Sequence, residues 1–197
     1  MKRFFLIGIL ILNMVAITEY GKGVNKKEMI IPEVSQDSFG RVEITFRFER
    51  HDLERSNQFA IWFQNQSGEV MRTLFVTKYA ADGGYRIDLD CLPKWVNRAE
   101  PEFLPQAEID TYTGPTPLTG RLEYVWDGKD RHGKPVPEGN YVYYIEGNMY
   151  DKSTIVYSGL ILVSDEEMTV RSRFEQNEPF EYRGAGMIED VVVRYIP

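Results

Sequence analysis

Apolar and polar side chains alternate along much of the chain from residue 42 onward. In Val42–Glu49 the alternation has a strict period of two, which places one face of a strand on a core and the other in water. Gln58–Phe63 is apolar on both faces, and this pattern favours a central strand. Asn65–Gly68 has the composition of a hairpin connection. These runs predict three consecutive antiparallel strands, the third being Val70–Thr77.

The rest of the chain repeats this pattern between turn residues. In the third strand we expect Val70, Leu74 and Val76 to share one face. Leu92–Ala99 has the composition of a short helix, with a proline tolerated in its first turn. A proline-rich stretch at 100–118 is predicted as an excursion loop, because strands resume directly after it. The further predicted strands are Leu122–Trp126, Tyr141–Glu146, Ile155–Val163, Met168–Phe174 and Met187–Tyr195.

About eight strands separated by turns predict an all-β fold, a β-sandwich with one short helix. We assign it to residues 40–197. Residues 24–39 are mostly polar and are predicted to be a linker.

The N-terminal segment has the pattern of a targeting signal. Lys2 and Arg3 precede an uncharged, mostly apolar run from Phe4 to Ile17, which is short for a membrane span. We therefore predict a signal peptide over residues 1–23 and export to the periplasm or the medium. Cleavage near Gly21–Gly23 and cleavage near Ala16–Thr18 both remain open. An uncleaved anchor and a buried strand or helix are the alternatives.

Composition and charge exclude several classes of function. The formal net charge is -7, so nucleic acid is not expected as a partner, and membrane contact is expected only through the N-terminal signal. A single cysteine excludes an internal disulfide and any multi-cysteine metal site. With two histidines in the whole chain, we predict no catalytic centre and no cofactor.

The most specific motif lies between the fourth and fifth predicted strands. A tryptophan ends one strand, aspartates and glycines supply tight turns, and prolines keep the chain extended before the next strand begins. We predict a stiff arch with a structural role. Its marked residues are Trp126, Asp127, Gly128, Asp130, Gly133, Pro137, Gly139 and Tyr141.

This arch resembles the C-terminal immunoglobulin-like domain of the flagellar hook-capping protein, which has the same W-D-G-x-D-x-x-G-x-x-V-x-x-G-x-Y progression. Four blocks of the chain also resemble a family of predicted periplasmic proteins of unknown function, over about residues 40–197. The resemblance implies an immunoglobulin-like sandwich and no particular reaction, so it supplies no active-site residues. The blocks are Phe59–Leu74, Leu92–Trp95, Asp110–Thr116 and Gly184–Tyr195, in order around the arch.

Oxygen-bearing side chains of the arch are candidates for calcium binding. Asp127, Asp130 and Glu138 supply the oxygens that calcium prefers, but the loop lacks a dense D-x-D-x-D-G arrangement. We interpret these residues as turn formers and keep calcium as the alternative.

A second acidic group precedes the short helix. Asp88 and Asp90 would point the same way if Ile87–Leu89 were a strand, with Asp82 nearby in sequence. We interpret the group as a solvated face. Metal binding or a pair of glycosidase-like carboxylates is the alternative, although the sequence gives no sign of a groove.

The lone thiol and the imidazoles are the remaining candidates for chemistry. Cys91 would need a neighbouring base to act as a nucleophile, and the nearest candidate is Lys94, so we expect a small buried or half-buried residue. His132 lies at a turn tip, where a solvated side chain is expected and a metal ligand is the alternative. His51 belongs to a charged run that is most simply a solvated loop.

Aromatic side chains offer a binding surface if they are exposed. When Tyr141 and Tyr143 face the core, Tyr144 and Tyr150 lie on the other face, and Trp95 sits beside the proline-rich loop. We expect Trp95 to cap one end of the sandwich and the tyrosines to cover a second layer.

We therefore expect an exported, non-enzymatic, immunoglobulin-like module for binding or assembly, whose partner is an envelope or secreted protein. The alternative is an extracytoplasmic metal-binding accessory protein or a carbohydrate-active enzyme that uses the acidic loops.

Overall fold

A computed structural model describes residues 40–51, 57–150, 153–177 and 186–197. These residues form an all-β sandwich of ten strands in two sheets, which confirms the predicted fold class. The predicted signal peptide and linker lie outside the described residues. The strands are β1 (Arg41–Phe48), β2 (Gln58–Asn65), β3 (Val70–Thr77), β4 (Thr113–Gly114), β5 (Gly120–Trp126), β6 (Gly139–Tyr150), β7 (Ser153–Val163), β8 (Met168–Val170), β9 (Arg173–Asn177) and β10 (Ile188–Ile196).

The two sheets divide the strands unequally. One sheet has four strands in the order β5-β1-β10-β8, and the other has six in the order β4-β3-β2-β6-β7-β9. All strand pairs are antiparallel except β3–β4. The chain passes between the sheets repeatedly, so the inner faces of both are assembled from strands far apart in sequence.

The main core lies between the sheets and follows the alternation of the strands. Val42, Ile44, Phe46 and Phe48 on β1 are fully buried there, as the period-two pattern predicts. From the opposite sheet, β6 contributes Tyr141, Tyr143 and Ile145, which lie on one face of the strand. Burial of this apolar surface supplies most of the driving force for folding.

A third layer covers the outer face of the six-stranded sheet. It consists of residues 78–112, which form three helices, α1 (Lys78–Ala81), α2 (Pro93–Ala99) and α3 (Gln106–Ile109), and three short 3₁₀ turns. A second core of buried side chains joins this layer to the sheet. It includes Ala60 and Trp62 of β2, and this explains why that strand is apolar on both faces.

Two strand predictions were wrong in detail. Met168–Phe174 is two strands in different sheets, β8 and β9. Leu74 does not share a face with Val70 and Val76, because it is the extra residue of a β-bulge opposite Ile61 and Trp62; it packs on the main core.

The proline-rich stretch at 100–118 is also more ordered than the predicted loop. It contains α3, two 3₁₀ turns and β4. The single predicted helix is α2, so α1 and α3 are additions to the prediction. Among the described residues, no helix combines the length and the apolar composition needed to cross a membrane.

Candidate ligand-binding cleft

The arch between β5 and β6 is held by hydrogen bonds within its own turns. The carboxylate Oδ1 of Asp130 accepts the backbone N–H groups of His132 (2.8 Å) and Lys134 (2.9 Å). Gly133, with a φ of 74°, closes the same turn by donating its N–H to the Asp130 carbonyl. Gly128 also has a positive φ of 68°. These bonds agree with the predicted turn role of the aspartates and glycines.

Both ends of the arch are anchored in the main core. The indole of Trp126 is buried and stacks on Phe63, with ring centroids 4.2 Å apart, and its Nε1–H donates to the Lys129 carbonyl (2.7 Å). The Tyr141 hydroxyl donates to the Pro137 carbonyl (2.8 Å). The arch is therefore fixed at its start and at its end.

The arch also docks against β3. The N–H of Arg131 donates to the carbonyl of Met71 (2.6 Å), and Nη1 of Arg72 donates to the carbonyl of Asp130 (3.3 Å). These two bonds bring the tip of the arch beside the helical layer. There Nη2 of Arg131 forms an ion pair with Glu108 of α3 at 2.9 Å.

On the other side of β3, the start of α2 is held by a buried carboxylate. Glu146 on the outer face of β6 is 1% exposed, and its two oxygens accept the N–H groups of Lys94 (2.9 Å) and Trp95 (2.7 Å). Burial raises the pKa of this carboxyl to about 7. The indole Nε1–H of Trp95 in turn donates to Oγ1 of Thr73 on β3 (3.3 Å).

A cleft of about 300 Å³ lies where β3, the end of α2, residues 100–112 and the arch tip meet. Its wall is both polar and apolar, with Val70, Ala99 and Leu104 among the apolar members. Phe103 is 74% exposed at this cleft. Pockets that combine apolar walls with a few polar groups are the usual binding sites for small molecules. The polar side chains that line the cleft include Arg72, Thr73, Arg98, Tyr112 and Arg131.

The polar groups of the cleft differ in how fully they are satisfied. Arg131 is paired with Glu108, whereas Arg98 has no ion pair or hydrogen bond among the described residues. Tyr112 is buried, and its hydroxyl has no hydrogen-bond partner in the described structure. Burial raises the pKa of this phenol to about 12, so it keeps its proton. The Arg98 guanidinium is thus a donor available to a ligand, whereas the Tyr112 hydroxyl is enclosed by the surrounding side chains.

The candidate calcium oxygens of the arch serve as turn acceptors. Asp130 makes the two bonds described above, and Asp127 accepts the N–H of Lys129 (3.2 Å) and lies 3.7 Å from its ammonium group. Glu138 is exposed. Within the described ranges, no three carboxylate, thiol or imidazole side chains come together in a way that would hold a metal ion.

The second acidic group is not gathered on one strand face. Ile87–Leu89 is not a strand, because it follows a 3₁₀ turn (Gly84–Arg86) and continues as turns and bends. Asp82 pairs with Lys78 of α1 at 3.0 Å, and Asp88 accepts the N–H of Asp90 at 3.1 Å.

The thiol and the imidazoles lie apart from the cleft wall formed by the arginines. Cys91 is fully buried, as predicted, and burial raises the pKa of its thiol to about 12. His132 is exposed at the tip of the arch, also as predicted. His51 is half-buried, and its backbone N–H and carbonyl both bond the Asn57 side chain (2.6 and 2.7 Å).

The candidate exposed aromatics are mostly covered. Trp95 is fully buried in the second core. The prediction that it caps one end of the sandwich is therefore wrong. Tyr144 lies between the indole of Trp62, with a centroid distance of 5.0 Å, and the ammonium of Lys94 at 5.8 Å. The side chain of Tyr150 lies outside the described residues. The aromatics of the second layer therefore pack beneath the helices.

Sequence reasoning did not identify the arginines of the cleft or the role of Glu146. Arg72, Arg98 and Arg131 come from three separate segments and look like ordinary surface residues in sequence. The sequence did contain one indication of the role of Glu146. It is an acidic residue at the end of an aromatic strand and shares a face with Tyr144, and a carboxylate on such a face predicts a hydrogen-bonding partner there.

Comparison with known proteins gives one informative match. No curated protein and no solved structure matches the chain significantly. The model of one family matches residues 41–173, which span the arch, the helical layer and every side chain of the cleft. That family is described as "Predicted periplasmic protein (DUF2271)", and this description supports the periplasmic location expected from the N-terminal signal. The chain belongs to the DUF2271 family of predicted periplasmic proteins.

Proposed function

We propose that this protein is an exported, non-enzymatic binding module that holds its ligand in the cleft beside β3. The observation that carries the proposal is the cleft itself, which has unpartnered donors and an exposed aromatic ring. A rigid sandwich that carries its binding residues on connecting segments is a common design. Here those segments are the helical layer and the arch.

Strand adjacency supports an immunoglobulin-like class for the sandwich. In immunoglobulin domains strand B pairs with E, and C, F and G are neighbours. In this chain β1 pairs with β5, and β2, β6 and β7 are neighbours in that order. Tyr141, near the start of β6, bonds the backbone of Pro137 four residues upstream, which is the geometry of a tyrosine corner at strand F.

Two features depart from antibody domains. The lone Cys91 leaves no inter-sheet disulfide, and the tryptophan of β2, Trp62, lies in the second core rather than between the sheets. The hook-capping resemblance rests on the arch motif, so we propose it for the fold of that region alone. An envelope or secreted protein remains the proposed partner.

The placement of perturbed titratable groups supports binding rather than catalysis. Catalytic acids and nucleophiles usually combine a shifted pKa with access to a cleft. Here the shifted carboxyl of Glu146 is bonded to the backbone of α2, and the raised pKa of Cys91 makes its thiol a poor nucleophile. Both groups serve the second core, and Tyr112, the group with a raised pKa that lines the cleft, keeps its proton as a hydrogen-bond donor.

A cleft-filling variant tests the proposal. Thr111 is exposed and lines the cleft, so Thr111→Trp should fill it from the solvent side. Gln66→Trp, on the exposed β2–β3 turn, is the matched control. We expect fractions of a periplasmic small-molecule extract to raise the melting temperature of the wild type and of Gln66→Trp, but not of Thr111→Trp. Equal stabilisation of all three proteins, or of none, would contradict the proposal.

A further inference from the structure

We infer that the cleft binds a small monocarboxylate, with the carboxylate on Arg98 and Arg72 and the apolar body of the ligand against Phe103. This inference rests on the proposed binding function and names the ligand class of the same site. It depends on four features of the cleft: the state of its arginines, the buried phenol, the apolar wall and the acidic side chains.

The arginines supply charged donors that the protein does not use up. A guanidinium carries five N–H donors and remains charged, so it matches a carboxylate in a planar, bidentate arrangement. The side chain of Arg98 has no partner in the described structure, and that of Arg72 donates one hydrogen bond, to the Asp130 carbonyl at 3.3 Å. The arch fixes Arg72 through that bond, which reduces the loss of side-chain freedom when a ligand binds.

The buried phenol adds a neutral donor. Tyr112 is 8% exposed and lines the cleft, and its hydroxyl lacks a partner in the part of the chain that is described. Leaving a buried polar group unsatisfied is costly, so a ligand oxygen or a water that bonds it would be favoured. This phenol keeps its proton, but its oxygen has almost no exposed surface, so a ligand acceptor reaches it only when the side chains around it shift.

The apolar wall selects a ligand with a hydrophobic part. Phe103 exposes most of its ring, and Leu104, Val70 and Ala99 lie along the same cleft. Exposed phenylalanine loses unfavourable contact with water when an apolar group packs on it.

Acidic side chains limit the charge that the cleft accepts. Glu108 is neutralised by Arg131, but Glu69 and Glu100 also line the cleft, and Glu69 is bonded by the amide of Asn65. Their carboxylates repel a dianion more than a monoanion. We therefore expect a monocarboxylate to bind better than inorganic phosphate.

The indole N–H of Trp95 is a built-in reporter of the cleft, because it donates to Thr73, which lines the cleft wall. The experiment is a titration of the full mature chain followed by the ¹⁵N–¹H resonance of this indole, assigned with Trp95→Phe. The probes are benzoate, its neutral analogue benzyl alcohol, and inorganic phosphate. We expect a saturable shift with benzoate at millimolar concentrations or below, weakened by added NaCl, and at least tenfold weaker binding of the other two probes.

Two substitutions separate the arginine from general charge. Arg98→Gln should weaken benzoate binding about tenfold or more, since it removes a charged hydrogen bond from an exposed side chain that makes no hydrogen bond or ion pair with the described residues. Arg173→Gln, at a side chain 78% exposed on β9, is the matched control and should leave binding unchanged. Equal binding of benzoate and benzyl alcohol, no saturable shift with benzoate, or an equal loss in both variants would overturn the inference. If benzoate fails while extract fractions still stabilise the protein in a way that Thr111→Trp abolishes, the ligand class is wrong and the proposed function stands.

Discussion

The buried carboxylate of Glu146 makes the stability of this protein depend on pH, and Glu146→Gln tests that dependence. The side chain is 1% exposed and bonds the N–H groups of Lys94 and Trp95 at the start of α2. Glutamine has the same shape as the protonated acid and does not titrate. It therefore removes the charge while keeping a carbonyl acceptor for one of the two N–H groups.

The magnitude follows from the difference between the folded and the unfolded carboxyl. Burial raises the pKa of Glu146 from an ordinary 4.5 to about 7. Between those pH values the folded protein binds more protons than the unfolded chain, so the free energy of unfolding falls as the pH rises. A difference of this size corresponds to roughly 3 kcal/mol, present in full below pH 4.5 and lost by the time the pH exceeds about 7.

Urea denaturation of both proteins at pH 5, 6, 7 and 8 measures the effect. The stability of Glu146→Gln relative to wild type should rise by about 2.5 kcal/mol between pH 5 and pH 8, since only the wild type acquires a buried charge. Glu123→Gln, at an exposed position on β5, is the control and should follow the wild type across the same range.

A stability gap that does not change with pH would refute the reasoning. A gap that moved in favour of the wild type would refute it more sharply. It would mean that the two backbone N–H groups stabilise the ionised carboxylate by more than burial penalises it, so that the pKa lies below its ordinary value.

Three further predictions concern the arch and the second core. Asp130→Ala should lower the free energy of unfolding by about 1 kcal/mol, because the N–H groups of His132 and Lys134 lose their acceptor. Calcium should not raise the melting temperature of the wild type, and a calcium-dependent rise would contradict the turn role. Gly133→Ala should cost about 1 kcal/mol in denaturant titrations, because a φ of 74° strains any residue with a Cβ, and unchanged stability would show that the turn relaxes. Cys91 should resist iodoacetamide at pH 8 in the folded protein and react once urea unfolds it, as followed by mass spectrometry; rapid labelling of the folded protein would contradict its burial.

Strand alternation predicted the main core because strands such as β1 turn alternate side chains toward it. Val42 to Phe48 confirms this, and so does the face of β6 that begins at Tyr141. The alternation failed at Leu74, since β3 has two bulges against β2, at Met71 and at Leu74; the faces are shifted between the bulges and return to the original order at Val76. It also failed at Met168–Phe174, where the chain changes sheets without a strong turn signal.

The sequence predicted only part of the helical layer. The apolar outer face of β2 indicates that something covers it, yet the sequence does not say that residues 78–112 are the cover. Trp95 was therefore predicted at the wrong place, although its burial was expected. Long-range packing of short helices leaves no periodic pattern in segments of four to seven residues.

The cleft was not predicted from the sequence for a related reason. Its arginines lie on β3, on α2 and in the arch, and each occurs in a locally polar context. Hydrogen bonds to the backbone join two of them: the N–H of Arg131 at the arch tip donates to the Met71 carbonyl, and the guanidinium of Arg72 donates to the Asp130 carbonyl. The arch, whose own residues have a structural role, thus determines the positions of Arg72 and Arg131. The turn chemistry around Asp130 and the positions of Arg72 and Arg131 beside the cleft are therefore coupled through β3, so the arch supports the proposed binding by position.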